Sequence, residues 1–546
     1  MLHLEKFLFL YFLIQKNIPT KLKNQIKKED TLLANVKSMA LHGLDGYLVN
    51  VQVDISGGLP GWEIVGLPDA GIRESKERIR IAIRNSEIAI PSRKITVNLA
   101  PASTKKEGSF FDLPIAIGVL QSIGTIQNEE ISSTVFLGEL SLDGHITKIH
   151  GVLPMCIEAK KLGMKRVMVP KENAEEAAIV DELEVIPVAH LQQAIAYLNG
   201  QIVIPRARVN PEIWQEKKQE ETEDFSEIKG QNQIKRALEI AAAGSHNILL
   251  IGSPGSGKTM MARRLPTILP DMSFEEALEV TKIHSIAGLL DQQAMIRQRP
   301  FRSPHHTVSG VSLVGGGKIP KPGEISLAHY GILFLDELTE FNKHTLEVLR
   351  VPLEDRKVSI SRVNATLTYP CNFMLVASMN PCPCGYYGTK GRECHCSETQ
   401  IKKYMGKISG PLLDRFDIQI EVKPVDYDKI KSNQPAEKSC KIKERVNQAR
   451  KRQLERYQPY SIFSNAELTP KLMEQYCQLD ASSQKLLEIS YEKLGLSARA
   501  YAKILKVART IADLEGKENL TSAHIAEAIQ YRNLDRKYFE RRMENL

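Results

Sequence analysis

The sequence predicts an α/β multidomain chain that closes on a helical domain, and three observations carry this. Short apolar runs alternate with helical stretches from about residue 41 to 198, and again from about 225 to 425. A charged, proline-containing segment separates the two regions, and beyond about residue 462 only helical periodicity remains. At roughly 150 residues per domain, the 546 residues suggest three or four domains. With 42% hydrophobic and 25% charged residues the chain resembles ordinary globular proteins, which excludes a disordered chain, a collagen-like repeat and a coiled-coil rod. A net charge of +8, from 73 basic and 65 acidic residues, permits a polyanionic partner without establishing one.

The start contains the apolar run from Phe7 to Ile14, too short to span a bilayer and without a small-residue cleavage site before Lys16, so neither signal peptide nor membrane anchor is expected. In the first α/β domain, taken as 32–204, Tyr47–Asp54, Lys94–Leu99 and Arg166–Val169 read as strands and Ala70–Arg84 as a helix. Residues 205–224 read as a charged linker, with nothing to bury in Glu216–Asp224. The nucleotide-binding core is placed at 225–425, a basic helical connector at 426–461 and the helical domain at 462–546.

The core carries the chemistry. Gly252-Ser253-Pro254-Gly255-Ser256-Gly257-Lys258-Thr259 satisfies G-x-x-x-x-G-K-[ST], follows the apolar run Asn247–Ile251 and opens a helical stretch. Its glycines let backbone N–H groups wrap phosphate oxygens, Lys258 supplies a point charge, and the Thr259 hydroxyl is a ligand for Mg²⁺. ATP and Mg²⁺ are the expected cofactors. A second buried strand, Gly331–Leu335, delivers Asp336 to the Mg²⁺ and Glu337 to the attacking water. A third, Phe373–Ser378, delivers Asn380, which either orients that water or serves as a turn residue before Pro381. Arg415, in Leu413-Asp414-Arg415-Phe416-Asp417, reads as a finger offered to a neighbour's γ-phosphate or as a salt bridge to Asp414 or Asp417. Arg499 begins a helix of the last domain, as a reporter of nucleotide state or a solvated residue.

Four of the eight cysteines, Cys382, Cys384, Cys394 and Cys396, crowd into one segment. Two C-x-C pairs joined by a Gly-rich loop suit a tetrahedral Zn²⁺ site in a reducing compartment, and cytoplasm is the expected location. The alternative is a loop of reduced thiols, and His395 is a substitute ligand. Tyr386, Tyr387, Lys390, Arg392, Lys402 and Lys403 around it mix aromatics and bases, as a nucleic-acid contact or a solvated face would. Two further segments read as DNA-contacting loops of a ring or as structural loops: Val314–Gly323, with Lys318 and Lys321, and the hairpin Lys357–Tyr369, with Arg362 near its tip. The basic stretch Lys441–Arg452 reads as a solvated helix face, and His305 and His306 receive no role.

These residues also carry a resemblance. Pro322–Glu337, Leu349–Asp355 and Asn380–Gly385 resemble the YifB/ComM family of magnesium-chelatase-like AAA+ proteins, over nearly everything from about residue 32 onward. The resemblance implies a homo-hexameric AAA+ P-loop core with a C-terminal lid, Arg415 as finger and Arg499 as sensor. It further implies a DNA helicase driving branch migration on single-stranded or branched DNA during natural transformation. Lys106–Gly108, Gly138–Gly144 and Pro170–Asn173 resemble the proteolytic domain of Lon, with Phe110 at the nucleophile's place and Leu153 at the activating lysine's. Neither side chain can do that work, so protease activity is not expected. A chelatase motor is the main rival, and the chain lacks a D-x-S-x-S metal-adhesion motif; a protein remodeller without a DNA role is another. Leu32 stands where the family's initiator methionine would be, which makes 1–31 an extension outside the family pattern. Deleting residues 1–31 is therefore expected to leave the steady-state ATPase rate unchanged, and a large loss would refute that reading.

Overall fold

The computed structural model describes residues 33–208, 223–290, 293–317, 320–362, 365–389, 392–425, 436–460, 462–532 and 534. The extension 1–31, most of the 205–224 linker, Lys318, Lys390, residues 426–435 and the chain from 535 onward lie outside the described residues. Two compact units emerge: one reaches residue 215 and takes in Ser285–Met295, the other holds the remainder.

In the first unit, Val49, Val51, Val53 and Ile55 are buried while the residues between them are half-exposed, the period of two that makes Asp45–Ser56 a strand. It pairs antiparallel with Ala34–His42 and with Lys94–Ala100. The full sheet runs Gly61–Val65, Lys94–Ala100, Asp45–Ser56, Ala34–His42, Thr134–Phe136, Arg166–Pro170, Glu184–Val188. Helix Asp112–Ser122 packs on it where Gly118 allows close approach, since a Cβ there would stand 2.6 Å from Val53 Cγ2. Helix Ala70–Asn85 starts at Asp69, whose Oδ1 accepts the Ile72 N–H at 2.8 Å.

Phe110 lies in the short turn Ser109–Phe111 with its ring 4.7 Å from that of Phe111, and Ser109 donates its hydroxyl to Glu139. Leu153 is buried in helix Val152–Lys161, its N–H 2.9 Å from Glu176 Oε1. Within the 225–425 core, Ser285–Met295 groups by contacts with the first unit. There Ser285 donates to Glu176, and Leu290 O accepts Lys148 Nζ at 2.6 Å.

The second unit is built on a five-stranded sheet in the order Phe301–Arg302, Ile332–Leu335, Met374–Met379, Ile248–Gly252, Ile418–Val422, every neighbouring pair parallel. The three middle strands are buried throughout, as expected of a parallel sheet covered on both faces. The reading of 426–461 as a connector with a solvated face is corrected. Helix Ser439–Tyr457 turns Ile442, Val446, Ala449 and Tyr457 into the same core as helices Asn232–Gly244 and Ala498–Leu514. Its Arg445 pairs with Glu239 at 2.6 Å. No helix among the described residues is long and apolar enough to cross a membrane.

Asn247 and Asp417 tie this unit together. Asn247 donates its side-chain amide to Arg415 O at 2.9 Å, accepts Leu375 N–H on Oδ1 at 2.8 Å, and accepts Asp417 N–H on its carbonyl at 2.9 Å. Asp417 accepts Asn247 N–H at 2.9 Å and pairs with Lys503 Nζ, from helix Ala498–Leu514, at 3.1 Å. Burial opposes ionisation of Asp417, but Lys503, His246 and the Asn247 N–H outweigh it and hold the carboxyl below the usual carboxylate range. A depressed folded-state pKa gives stability that is present at neutral pH and lost as pH falls below about 4. Asp417→Asn leaves Lys503 buried without its counter-charge, so it should lower unfolding free energy by about 3–5 kcal/mol in urea titrations at pH 7. The difference from the unsubstituted chain should shrink as pH is lowered through about 4.

Candidate nucleotide site and arginine pair

The phosphate loop leaves strand Ile248–Gly252 and enters helix Lys258–Arg264. Gly257 has φ 89°, a left-handed conformation that a side chain would strain. Gly252 lies so close to strand Ile418–Val422 that a Cβ would stand 2.4 Å from Val422 O. Lys258 Nζ donates to Gly252 O at 2.7 Å, Ser253 O at 3.0 Å and Asn380 Oδ1 at 3.1 Å. Burial lowers the Lys258 pKa, and Asp336 and Glu337 pull it back up.

Thr259 Oγ1 donates to Asp336 Oδ2 at 2.7 Å, which brings the two expected Mg²⁺ ligands together. Asp336 Oδ1 accepts the Ser378 hydroxyl and, at 3.1 Å, the Glu337 N–H. Ser256 Oγ is buried in the loop with no hydrogen-bond partner. A convergent hydroxyl–carboxylate pair, a half-buried amine and an unmet hydroxyl fit ATP with Mg²⁺. Glu337 has φ 53°, an uncommon and costly conformation for a residue with a side chain, of the kind found at functional sites. Its carboxylate is 58% exposed, and His306 Nδ1 stands 4.0 Å from Oε2. His306 also lines an open groove of about 650 Å³ with Ser309, Asn342 and His344.

Arg415 and Arg499 converge on one carboxylate. The Arg415 guanidinium, 9% exposed, pairs with Glu354 rather than with Asp414 or Asp417. Arg499, 58% exposed, stands 4.0 Å from Glu354 and 3.7 Å from Asp414. Because Asn247 holds Arg415 O, Arg415 sits at the opposite end of strand Ile248–Gly252 from Gly252, about 16 Å away at 3.3 Å per residue.

The four cysteine sulfurs lie within 4.8 Å of one another, with Cys382–Cys384 at 3.3 Å, Cys384–Cys394 at 3.5 Å and Cys382–Cys394 at 3.7 Å. His395 is exposed and outside the cluster. Burial raises the Cys384 thiol, but hydrogen bonds from Tyr386 N–H and the neighbouring thiols bring it down to about 6. Arg392 donates to Tyr386 Oη at 2.7 Å with its guanidinium 5.1 Å from the ring centre.

The two loop segments pack on each other. Lys357–Arg362 and Ala365–Pro370 pair antiparallel with Arg362 as the last residue before the tip, and Gly315–Gly316 pairs with Lys321–Pro322. Tyr369 Oη donates to Pro320 O at 2.8 Å, and a Cβ on Gly315 would stand 2.8 Å from Ile360 Cδ1. Lys321 is exposed. Asn247, Ser378 and Glu354 had no sequence signal of their own, since each acts through a partner far away in the chain.

Glu337→Gln should keep nucleotide affinity and lower the single-turnover hydrolysis rate by about 10²–10⁴-fold, because only the water-activating carboxylate is lost. Lys258→Ala should lose affinity itself in a fluorescent-nucleotide titration.

Three family models match. Magnesium chelatase, subunit ChlI covers residues 224–430, its C-terminal model covers 436–532, and Subunit ChlI of Mg-chelatase covers 51–173. The last match places the N-terminal domain, too, within a chelatase-subunit family model. The chain is 43% identical to YifB of Escherichia coli over 506 residues, 92% of this chain and 98% of that protein. It is also 43% identical to the competence protein ComM of Haemophilus influenzae over 510 residues, again 92% and 98%. The magnesium-chelatase 38 kDa subunit of Rhodobacter capsulatus is 24% identical over 333 residues, 55% of this chain and 84% of that one. With a paired Thr259–Asp336, a Lys258–Asn380 contact and this similarity along its length, the chain belongs to the YifB/ComM family of magnesium-chelatase-like AAA+ ATPases.

Proposed function

We propose that this chain is the protomer of a homo-hexameric, ATP-driven motor that acts on single-stranded or branched DNA, as a helicase promoting branch migration when incoming DNA is integrated during natural transformation and recombination. The observation that carries the reading is the similarity along nearly the whole chain to a protein named for competence. Cytoplasm is the compartment where such a substrate is met. The cofactors are ATP and Mg²⁺, with Zn²⁺ at the cysteine cluster.

Within one subunit, the loop 252–259 binds the phosphates and Lys258 neutralises them, while Thr259 and Asp336 hold the metal. Bound Mg²⁺ supplies charge neutralisation at the transferring phosphoryl oxygens. Glu337 polarises the attacking water and Asn380 orients it beside Lys258. Arg415 acts on a neighbour's nucleotide, which its place at the far end of strand Ile248–Gly252 favours. Release from Glu354 is then part of subunit assembly, and Arg499, drawn to the same carboxylate, senses the same event. The packed loop pair carrying Lys321 and Arg362, with Lys318 alongside in sequence, is the DNA-contacting element.

The second reading is an ATP-driven remodeller of a protein partner, of the chelatase type, which the three chelatase model matches favour. The ATPase rate of the full chain, measured with and without single-stranded and forked DNA, separates the two. Under the DNA reading the rate rises with DNA and the rise weakens with added salt, because phosphate contacts release counterions. Lys321→Ala with Arg362→Ala should remove most of the rise and leave the DNA-free rate intact. A rate indifferent to every DNA tested would reject the DNA motor in favour of the remodeller.

A further inference from the structure

We infer that the cysteine loop, loaded with one Zn²⁺, is a brace on the phosphate loop, so that metal occupancy sets the affinity of the site for nucleotide. This rests on the zinc assignment above and goes beyond it to what the metal does.

The sulfur geometry comes first. A tetrahedral Zn²⁺ with Zn–S bonds near 2.3 Å places its sulfurs about 3.8 Å apart. The separations of 3.3–3.7 Å among Cys382, Cys384 and Cys394 lie within a few tenths of that edge, and Cys396 completes a set within 4.8 Å. Carboxylates and His395 are absent from the cluster, so the donor set is four thiols, which select Zn²⁺ over hard cations such as Mg²⁺.

The loop has little else to hold it. Between Asn380 and Ser397 the described residues form no helix or strand, and no large aliphatic side chain lies among them. Pro381, Cys382 and Gly385 are buried and Tyr386 and Tyr387 half-buried, a small apolar contact for the ordering entropy of a segment this long, and a metal cross-link is the usual remedy.

Both ends of the loop meet the nucleotide site. It begins two residues after Asn380, whose Oδ1 accepts Lys258 Nζ at 3.1 Å. It ends at Ser397, the capping residue of helix Glu398–Met405. That helix returns Tyr404, buried, to the neighbourhood of Asn380 and Thr339. In the middle, Gly385 lies on the phosphate loop itself: a Cβ there would stand 2.5 Å from Pro254 Cδ. Gly385 has φ 84° and directly follows Cys384, so the turn that presents it is set by the cysteine cluster. Zinc at the four thiols fixes that turn, the turn backs Pro254, and Pro254 keeps the phosphate loop wrapped before nucleotide arrives. Without the metal the loop's ordering must be met out of nucleotide binding.

The test uses the full chain and needs no DNA, so it stands apart from the fate of the motor reading. Metal content is measured by mass spectrometry. Affinity for a fluorescent ATP analogue in excess Mg²⁺ is then measured before and after stripping with a zinc-selective chelator, and again after adding Zn²⁺ back. The expected result is one zinc per chain, affinity weakened about tenfold or more on stripping, and recovery on re-addition. Pro254→Ala removes the contact while keeping all four thiols. It should bind one zinc as before, yet its affinity should change less than about twofold on stripping. A chain that neither retains nor takes up zinc overturns the metal site and the brace together. Zinc binding without any change in affinity overturns the brace alone. An equal loss in Pro254→Ala, with far-UV circular dichroism showing the ATPase unit unfolding on stripping, overturns it in favour of general stabilisation.

Discussion

The second unit depends on one polar junction at the foot of the strand that carries the phosphate loop. Asn247 is the last residue before Ile248–Gly252, and its amide reaches the neighbouring strand on one side, accepting from Leu375, and the turn before the edge strand on the other, donating to Arg415 O. The sheet is otherwise an apolar stack in which a shifted register would still bury aliphatic side chains. An amide with two partners at fixed distances removes that freedom, because a slip by one residue leaves it half-satisfied in a low-dielectric interior. Asp417 extends the junction through Lys503 into helix Ala498–Leu514, so the helical region and the sheet meet at a desolvated charge pair. Such a pair adds little net stability over an apolar substitute, but it makes one arrangement much better than its alternatives.

The same junction separates two kinds of chemistry along the sheet. At the carboxyl end of strand Ile248–Gly252 are Lys258, Thr259 and, from the two strands beyond it in the sheet, Asn380 and Asp336, in the crevice where open α/β sheets bind ligands. At the amino end are Arg415 and Arg499, gathered on Glu354. A rigid strand of five residues cannot bring the two ends together. The proposal that Arg415 serves another subunit draws its force from that distance, and Glu354 gives the guanidinium a partner when no phosphate is near.

Legibility in the sequence followed how local each signal was. Tyr47–Asp54, Lys94–Leu99, the three core strands and the Lys357–Tyr369 hairpin could be read from period and apolar runs, because each element's burial is written in its own residues. The phosphate-loop motif was legible because backbone conformation dictates its glycines. The basic helix Ser439–Tyr457 was misjudged because Lys441–Arg452 draws attention to its charges. Its apolar stripe is spaced at Ile442, Val446 and Ala449, and its arginines have acceptors such as Glu239 and Ser245 on the neighbouring helix. The excursion of Ser285–Met295 into the first unit was illegible for another reason: nothing within eleven residues encodes which surface they will cover. Glu354 and Ser378 failed likewise, being ordinary residues made functional by Arg415 and Asp336.

The shape of the phosphate loop is imposed from outside it. The helix it opens is only seven residues long before the chain tightens at Leu265–Ile268, too short to define the loop by itself. Gly252 is pressed onto Val422 O, and Gln231 donates to both Ser256 O and Lys423 O at 3.2 Å, tying the loop to the edge strand. Lys258 is held across the loop by Asn380, and Gly385 closes over Pro254. Three separate segments of chain therefore contact eight residues, and each contact requires either a missing Cβ or a specific donor. A loop fixed in this way needs little reorganisation to receive phosphate, so binding energy is conserved for closure and hydrolysis rather than for folding the site.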